Sequence, residues 1–173
     1  MSIRFMHITK TFGDKIVLNN LSFEVKTGEV LFILGKSGIG KSVTLKTIVG
    51  MIKPDSGQVL VEDRDVTKAN ESELAQIRQK CGMVFQHPAL LDSLTVYENI
   101  AFGLRNKKIY TEEQIRTIVL EQLKRVQLSD QILHKFPSEI SYGMQKRVSL
   151  ARTLAPAPQY LLFDEPTTGL DPI

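Results

Sequence analysis

The chain has 173 residues, 42% of them hydrophobic and 24% charged, with a formal net charge of +3. That length suits one domain with a real core, and a mildly basic balance without a dense Lys/Arg run gives no footprint for reading nucleic acid. Cys81 is the only cysteine, which excludes an internal disulfide, and no apolar run approaches the ~20 residues that span a bilayer.

Residues 1–15 carry polar side chains throughout, without the uninterrupted apolar stretch of a signal peptide. The chain therefore reads as cytosolic, reaching a membrane only through a partner. "SIRFMHITKTF" (2–12) alternates apolar and polar residues as a half-buried strand does, "GDK" turns, and "IVLNNLSFEV" (16–25) is a second strand. "EVLFILG" (29–35) is continuously apolar and predicts a strand buried on both faces. A glycine-rich turn leads into "KSVTLKTIVGM" (41–51), apolar at helical spacing. "PDSG" is a turn, "QVLVEDRDV" (58–66) a strand, "NESELAQIRQK" (70–80) a capped helix and "CGMVFQ" (81–86) a short buried strand.

From there the pattern becomes helical. "LTVYENIAFGL" (94–104) has a Thr95/Glu98 capping-box spacing. "TEEQIRTIVLEQLKRVQL" (111–128) opens on Thr111 and two acids and continues as an amphipathic helix. "SYGMQKRVSLARTLA" (141–155) is a further helix, and "QYLLFDE" (159–165) returns to a buried strand. The alternation predicts an α/β domain: a mostly parallel core sheet, an N-terminal antiparallel β-subdomain and a helical subdomain inserted at about residues 87–140.

Two clusters carry chemistry. "GKSGIGKS", Gly35 to Ser42, fits the phosphate-binding pattern G-x-x-x-x-G-K-[ST] in full, with a predicted strand before it and a helix after it. Gly35, Gly38 and Gly40 let the backbone turn its N–H groups onto phosphate oxygens, and the new helix points its positive end at the same anion. Lys41 supplies a charge for the outer phosphates and Ser42 a hydroxyl for Mg²⁺. Asp164 and Glu165 end the strand "YLLF". If that strand lies parallel to the one before Gly35, the acids reach the phosphate loop, Asp164 as a metal ligand and Glu165 to orient or deprotonate the attacking water.

In order along the chain, Gly35–Ser42, "MVFQ" with Gln86, "ISYGMQKRVSLAR" (140–152), "LLFDEP" (161–166) and "TGLD" (168–171) resemble the ATP-binding subunit of ABC transporters over essentially the whole length. The resemblance implies a P-loop NTPase fold and ATP with Mg²⁺ as ligands. Lys36, Ser37, Ile39 and Val43 complete the implied nucleotide-binding stretch, and Phe12 is the implied platform for adenine. Gln86 is the implied switch residue touching Mg²⁺ and the attacking water. Ser141 and Gly143, in the signature motif, would act on the ATP of a second subunit in an ATP-dependent head-to-tail homodimer, with "TGLD" and its Asp171 as a dimer contact. Transmembrane permease subunits are the implied partners, holding the chain on the inner face of the cytoplasmic membrane.

"GKSVTLKTIVGMIKPDSG", "FQHPALLDSLTVYENIAFGLR", Met144 and the ending "LDPI" are most similar to the Mla/MCE-type phospholipid-transport ATPases, which implies an MCE-type lipid-binding protein as a further partner. Two other readings stay open: an ATPase of this type outside transport, or a truncated nucleotide-binding remnant with little turnover. Tyr142 stands where the family usually has glycine; its ring would either weaken closure over the partner's ATP or point outward without effect. The part of the family's fold after the dimer-contact loop, with its phosphate-contacting histidine, is expected to be missing. None of His7, His87 and His134 follows Glu165. One flank of the last strand should then lie uncovered, making the isolated chain marginally stable and slow to turn over.

Overall fold

β1 (Ser2–Phe12) and β2 (Lys15–Lys26) form an antiparallel hairpin whose register runs from Ser2 opposite Lys26 to Phe12 opposite Lys15. Phe5 and Phe23 face each other in this register, and their rings stack at 4.4 Å, a cross-strand pair of the kind that stabilises a sheet by roughly 0.2–1 kcal/mol. The computed structural model describes residues 2–165.

β1 is also paired on its other edge, antiparallel to β3 (Ser56–Val61), and β4 (Arg64–Asp65) closes a sheet of order β2-β1-β3-β4. The β1–β3 register slips between Met6 and Thr9, where His7 takes a left-handed backbone. Gly57 lies against this bulge: a Cβ there would stand 2.4 Å from the His7 carbonyl oxygen, so only glycine lets the strands approach. The single strand expected over 58–66 is instead a hairpin. Glu62 and Asp63 both adopt positive φ, the conformation of a type I′ turn, and the sequence hides it because the usual Asn-Gly signal is absent.

α1 (Lys41–Ile48) and α2 (Glu71–Lys80) complete the first of two units, Met1–Cys81 and Gly82–Ile173. α2 begins at the expected cap, Asn70, which forms a full capping box: Asn70 accepts from the Glu73 N–H at 3.0 Å and the Glu73 carboxylate accepts from the Asn70 N–H at 2.8 Å. Ile3, Phe5, Ile8, Val59, Val61, Ile48 and Ile77 are buried in this unit.

The residues between β2 and α1 depart from expectation. Residues 29–36 form no strand, and Val30, Phe32 and Leu34 are 78%, 77% and 85% exposed. A strand is completed by a neighbour's backbone, and among the described residues no strand pairs with this one. An apolar run records a demand for burial but not the presence of the element that meets it.

In the second unit, β5 (Cys81–Val84) and β6 (Tyr160–Phe163) are hydrogen-bonded neighbours. α3 (Val96–Lys107), α4 (Glu112–Arg125) and α5 (Tyr142–Leu154) pack on one another. Each presents a helical stripe: Val96, Ile100 and Leu104; Ile115, Val119 and Leu123; Val148, Ala151 and Ala155. Short 3₁₀ turns at Asp130–Ile132 and Pro137–Glu139 add Ile132 and place Ile140 in the same core. Thr95 and Thr111 cap α3 and α4 through full capping boxes, and Arg105 of α3 forks onto Glu112 of α4 at 2.9 and 3.0 Å.

Candidate nucleotide-binding site

The expected site residues fall on both units. Phe12 and residues 35–43 belong to the first; Gln86, Ser141, Gly143, Asp164 and Glu165 belong to the second.

In the first unit the loop runs into α1 through Gly40, the N-cap, at φ 109°. A Cβ on Gly40 would lie about van der Waals overlap distance from β2, 2.9 Å from a Leu18 methyl and 3.0 Å from the Val17 carbonyl oxygen. Both the left-handed backbone and this close approach require glycine. The first intrahelical bond is Thr44 N–H to the Gly40 carbonyl at 2.8 Å, so the amides of the first turn have no carbonyl within the helix to bond. No acidic residue lies in that turn. The Lys41 ammonium donates to the carbonyls of Gly35 at 2.9 Å and Lys36 at 3.0 Å, which draws the loop back over the start of the helix. Lys36, Ser37, Gly38 and Ile39 form its exposed rim, while Lys41, Ser42 and Val43 are half-buried on α1. This is a cationic, amide-rich loop at a helix start, and its donor set fits a polyphosphate.

Phe12 is the last residue of β1 and is 48% exposed. The Lys10 ammonium lies over the ring, 5.3 Å from its centroid, and is ion-paired to Asp55 at 2.7 Å. Lys10, with the Thr11 N–H, holds the Asp55 carboxyl below the usual carboxylate range. No local pattern in the sequence announces this cluster, because its members lie 44 and 45 residues apart.

In the second unit, β6 delivers the two acids. The Asp164 N–H donates to the Val84 carbonyl at 2.9 Å, extending the β5–β6 pairing by one residue, and Asp164 is only 7% exposed. Glu165 is half-buried, with a left-handed backbone at φ 47°. Among the described residues no group of three or more His, Cys, Asp or Glu side chains could hold a metal alone. Asp164 offers a single carboxylate, the hard oxygen donor that Mg²⁺ takes alongside phosphate oxygens and water.

Gln86 sits half-buried in the bend after β5. Ser141 caps α5, accepting from the Met144 N–H at 3.3 Å. No atom comes within 4 Å of the place a Cβ on Gly143 would occupy, so the backbone there is open to close approach. Tyr142 is 41% exposed and makes two contacts within this unit. Its hydroxyl lies 3.2 Å from Nδ1 of His87, the residue after Gln86, and the Lys146 ammonium stands over its ring at 5.5 Å. This link between the glutamine loop and the signature helix was not legible in the sequence, where the partners are 55 residues apart. Cys81, at the start of β5, is half-buried, and the desolvation of its thiol pushes it up to about 11. "TGLD" and Asp171 lie outside the described residues.

Residues 18–168 match the ABC transporter family. The chain belongs to that family. Among its ABC transporter relatives, the probable ribonucleotide transport ATP-binding protein Mkl of Mycobacterium leprae is 42% identical over 173 residues, 100% of this chain and 50% of Mkl. The intermembrane phospholipid transport system ATP-binding protein MlaF of Haemophilus influenzae is 39% identical over 171 residues, 99% of this chain and 64% of MlaF. The dimeric, ADP- and Pi-bound structure of the ATP-binding cassette MJ0796 superposes with a TM-score of 0.90 at 35% identity, covering 98% of this chain and 76% of that one. The fold is thus that of an ABC ATP-binding cassette, and the chain spans about half the length of the first curated relatives it matches. No helix among the described residues is long and apolar enough to cross a membrane.

Proposed function

We propose that this chain binds and hydrolyses ATP as the nucleotide-binding part of an ABC transporter. The observation that carries the proposal is the phosphate loop: a glycine-capped helix start with no acid in its first turn, folded over by Lys41. Residues 35–43 bind the polyphosphate, Lys41 moving from the loop carbonyls to the outer phosphates. Phe12 takes the base. Ser42, Asp164 and Gln86 are the residues that would hold Mg²⁺, which would supply positive charge against the phosphate oxygens. Glu165 accepts the proton of the attacking water at its carboxylate. Ser141 and Gly143 present the start of α5 to the nucleotide of a second copy, a head-to-tail arrangement supported by the dimeric state of the MJ0796 cassette.

Permease subunits hold the protein peripherally on the cytoplasmic face of the membrane. The solute we favour is a phospholipid or related lipid, with an MCE-type lipid-binding protein as a further partner. Its support is the 39% identity to MlaF over nearly the whole chain and Met144 in the signature helix. The name of Mkl points instead to ribonucleotides. Reconstitution with the cognate permease separates the two: stimulation of ATP turnover by phospholipid is expected, and stimulation by ribonucleosides alone would contradict the lipid assignment.

Replacing the proposed base tests the chemistry. Glu165→Gln keeps ATP affinity and slows phosphate release by about 10²–10⁴-fold, the usual range for removing a general base. Unchanged release would remove Glu165 from that role.

A further inference from the structure

β1 and β3 stop pairing at Thr9 opposite Ser56, yet the last residues of β1 are not loose. The Asp55 N–H donates to the Thr9 carbonyl at 2.9 Å. The Asp55 carboxylate then takes over as a substitute strand edge. One oxygen accepts the Thr11 N–H at 2.7 Å, and the other accepts the Lys10 ammonium at 2.7 Å. Lys10 and Phe12 are two residues apart on one strand, so they share a face of the sheet. The result is a carboxylate–ammonium–ring stack: Asp55, then Lys10, then Phe12 at 5.3 Å. The Lys10 side chain is only 17% exposed, while Phe12 beside it remains 48% exposed as a residue.

From this geometry we infer that Asp55 and Lys10 are positioning residues for nucleobase recognition, acting through Phe12. A free phenyl ring on a surface has two faces and several rotamers. Here the ammonium covers one face and favours the ring orientation that meets it, while the carboxylate fixes the ammonium. The platform is thereby one-sided and set before the base arrives, which removes part of the ordering cost of binding. The ligand it fits is a planar, uncharged π-system such as the base of a nucleoside triphosphate, and the device contributes nothing to holding the phosphates. The inference rests on Phe12 being the base platform.

The test compares ATP with inorganic triphosphate, which has the phosphates but no base, by equilibrium binding to the 173-residue chain and its variants. Asp55→Ala and Lys10→Met are expected to lower the ratio of ATP to triphosphate affinity by about three- to tenfold, the scale of losing one pre-set side chain, with triphosphate affinity unchanged. Lys10→Met keeps the strand and the aliphatic stem, so it reads the clamp even if Asp55→Ala unfolds the turn. Phe12→Ala should lower the same ratio further. An unchanged ratio in both clamp variants, with Phe12→Ala still lowering it, overturns the clamp alone. An equal loss for ATP and triphosphate assigns Asp55 to general scaffolding and also overturns it. An unchanged ratio in Phe12→Ala removes the platform, and the clamp with it.

Discussion

Asn99 lies in the interior of α3, fully buried, and its amide organises the stretch that follows the glutamine loop. Its Oδ1 accepts the Leu91 N–H at 2.9 Å, and its Nδ2 donates to the carbonyls of Leu91, Leu94 and Thr95, each at 3.0 Å. Two amide hydrogens are thus shared among three acceptors. Asn99→Ala removes all four contacts. Thr95 O keeps the helical Asn99 N–H at 2.9 Å, and Leu91 is exposed enough for water to reach its backbone. The remaining loss is the Leu94 carbonyl, left without its donor, so the expected destabilisation is about 1–3 kcal/mol. Asn99→Asp should cost more, since it turns a carboxylate oxygen toward carbonyls that now receive a donor. The assay is urea unfolding followed by far-UV circular dichroism, suited to a chain without tryptophan. A change within ~0.5 kcal/mol for Asn99→Ala, or an Asp variant more stable than the Ala variant, would refute this account of the loop.

Two further outcomes are expected. Hydrogen bonds from the Thr95 N–H and hydroxyl hold Glu98 below its ordinary value of 4.5, and the Arg105 guanidinium does the same for Glu112. A carboxylate with a depressed folded pKa contributes its full stability above the unfolded value and loses it as pH falls through the folded one. Urea midpoints should therefore drop progressively below about pH 4.5, and Thr95→Ala should flatten that slope; an identical slope would count against the Glu98 cap. The exposed run Val30–Leu34 should bind an apolar dye and drive concentration-dependent association, both reduced by Phe32→Asp. A strictly monomeric chain with no dye binding would contradict the exposure of that segment.

What the sequence revealed follows the range of the physics involved. Caps are local: Asn70, Thr95, Thr111 and Ser141 each serve amides within three residues, and all four helices begin where those side chains predict. The helical stripes of α3, α4 and α5 were equally legible, because period alone selects the buried face. Pairing is not local. Residues 29–36 have a strand's composition but, among the described residues, no strand to pair with, and Glu62–Asp63 turns where the sequence pattern continues as a strand. In the site, the glycine loop and the acids after β6 carry their own signals. The Asp55–Lys10–Phe12 stack and the His87–Tyr142 contact do not, since each is made by segments that only folding brings together.

The central claim is that residues 35–43 hold the phosphates of ATP through Lys41 and the start of α1. Equilibrium binding of Mg-ATP to the chain and to its Lys41→Ala variant tests it most directly. Charge-assisted hydrogen bonds contribute about 1.5–3 kcal/mol, so the variant should bind at least about tenfold more weakly. Equal affinity for Mg-ATP in the two proteins would contradict the claim.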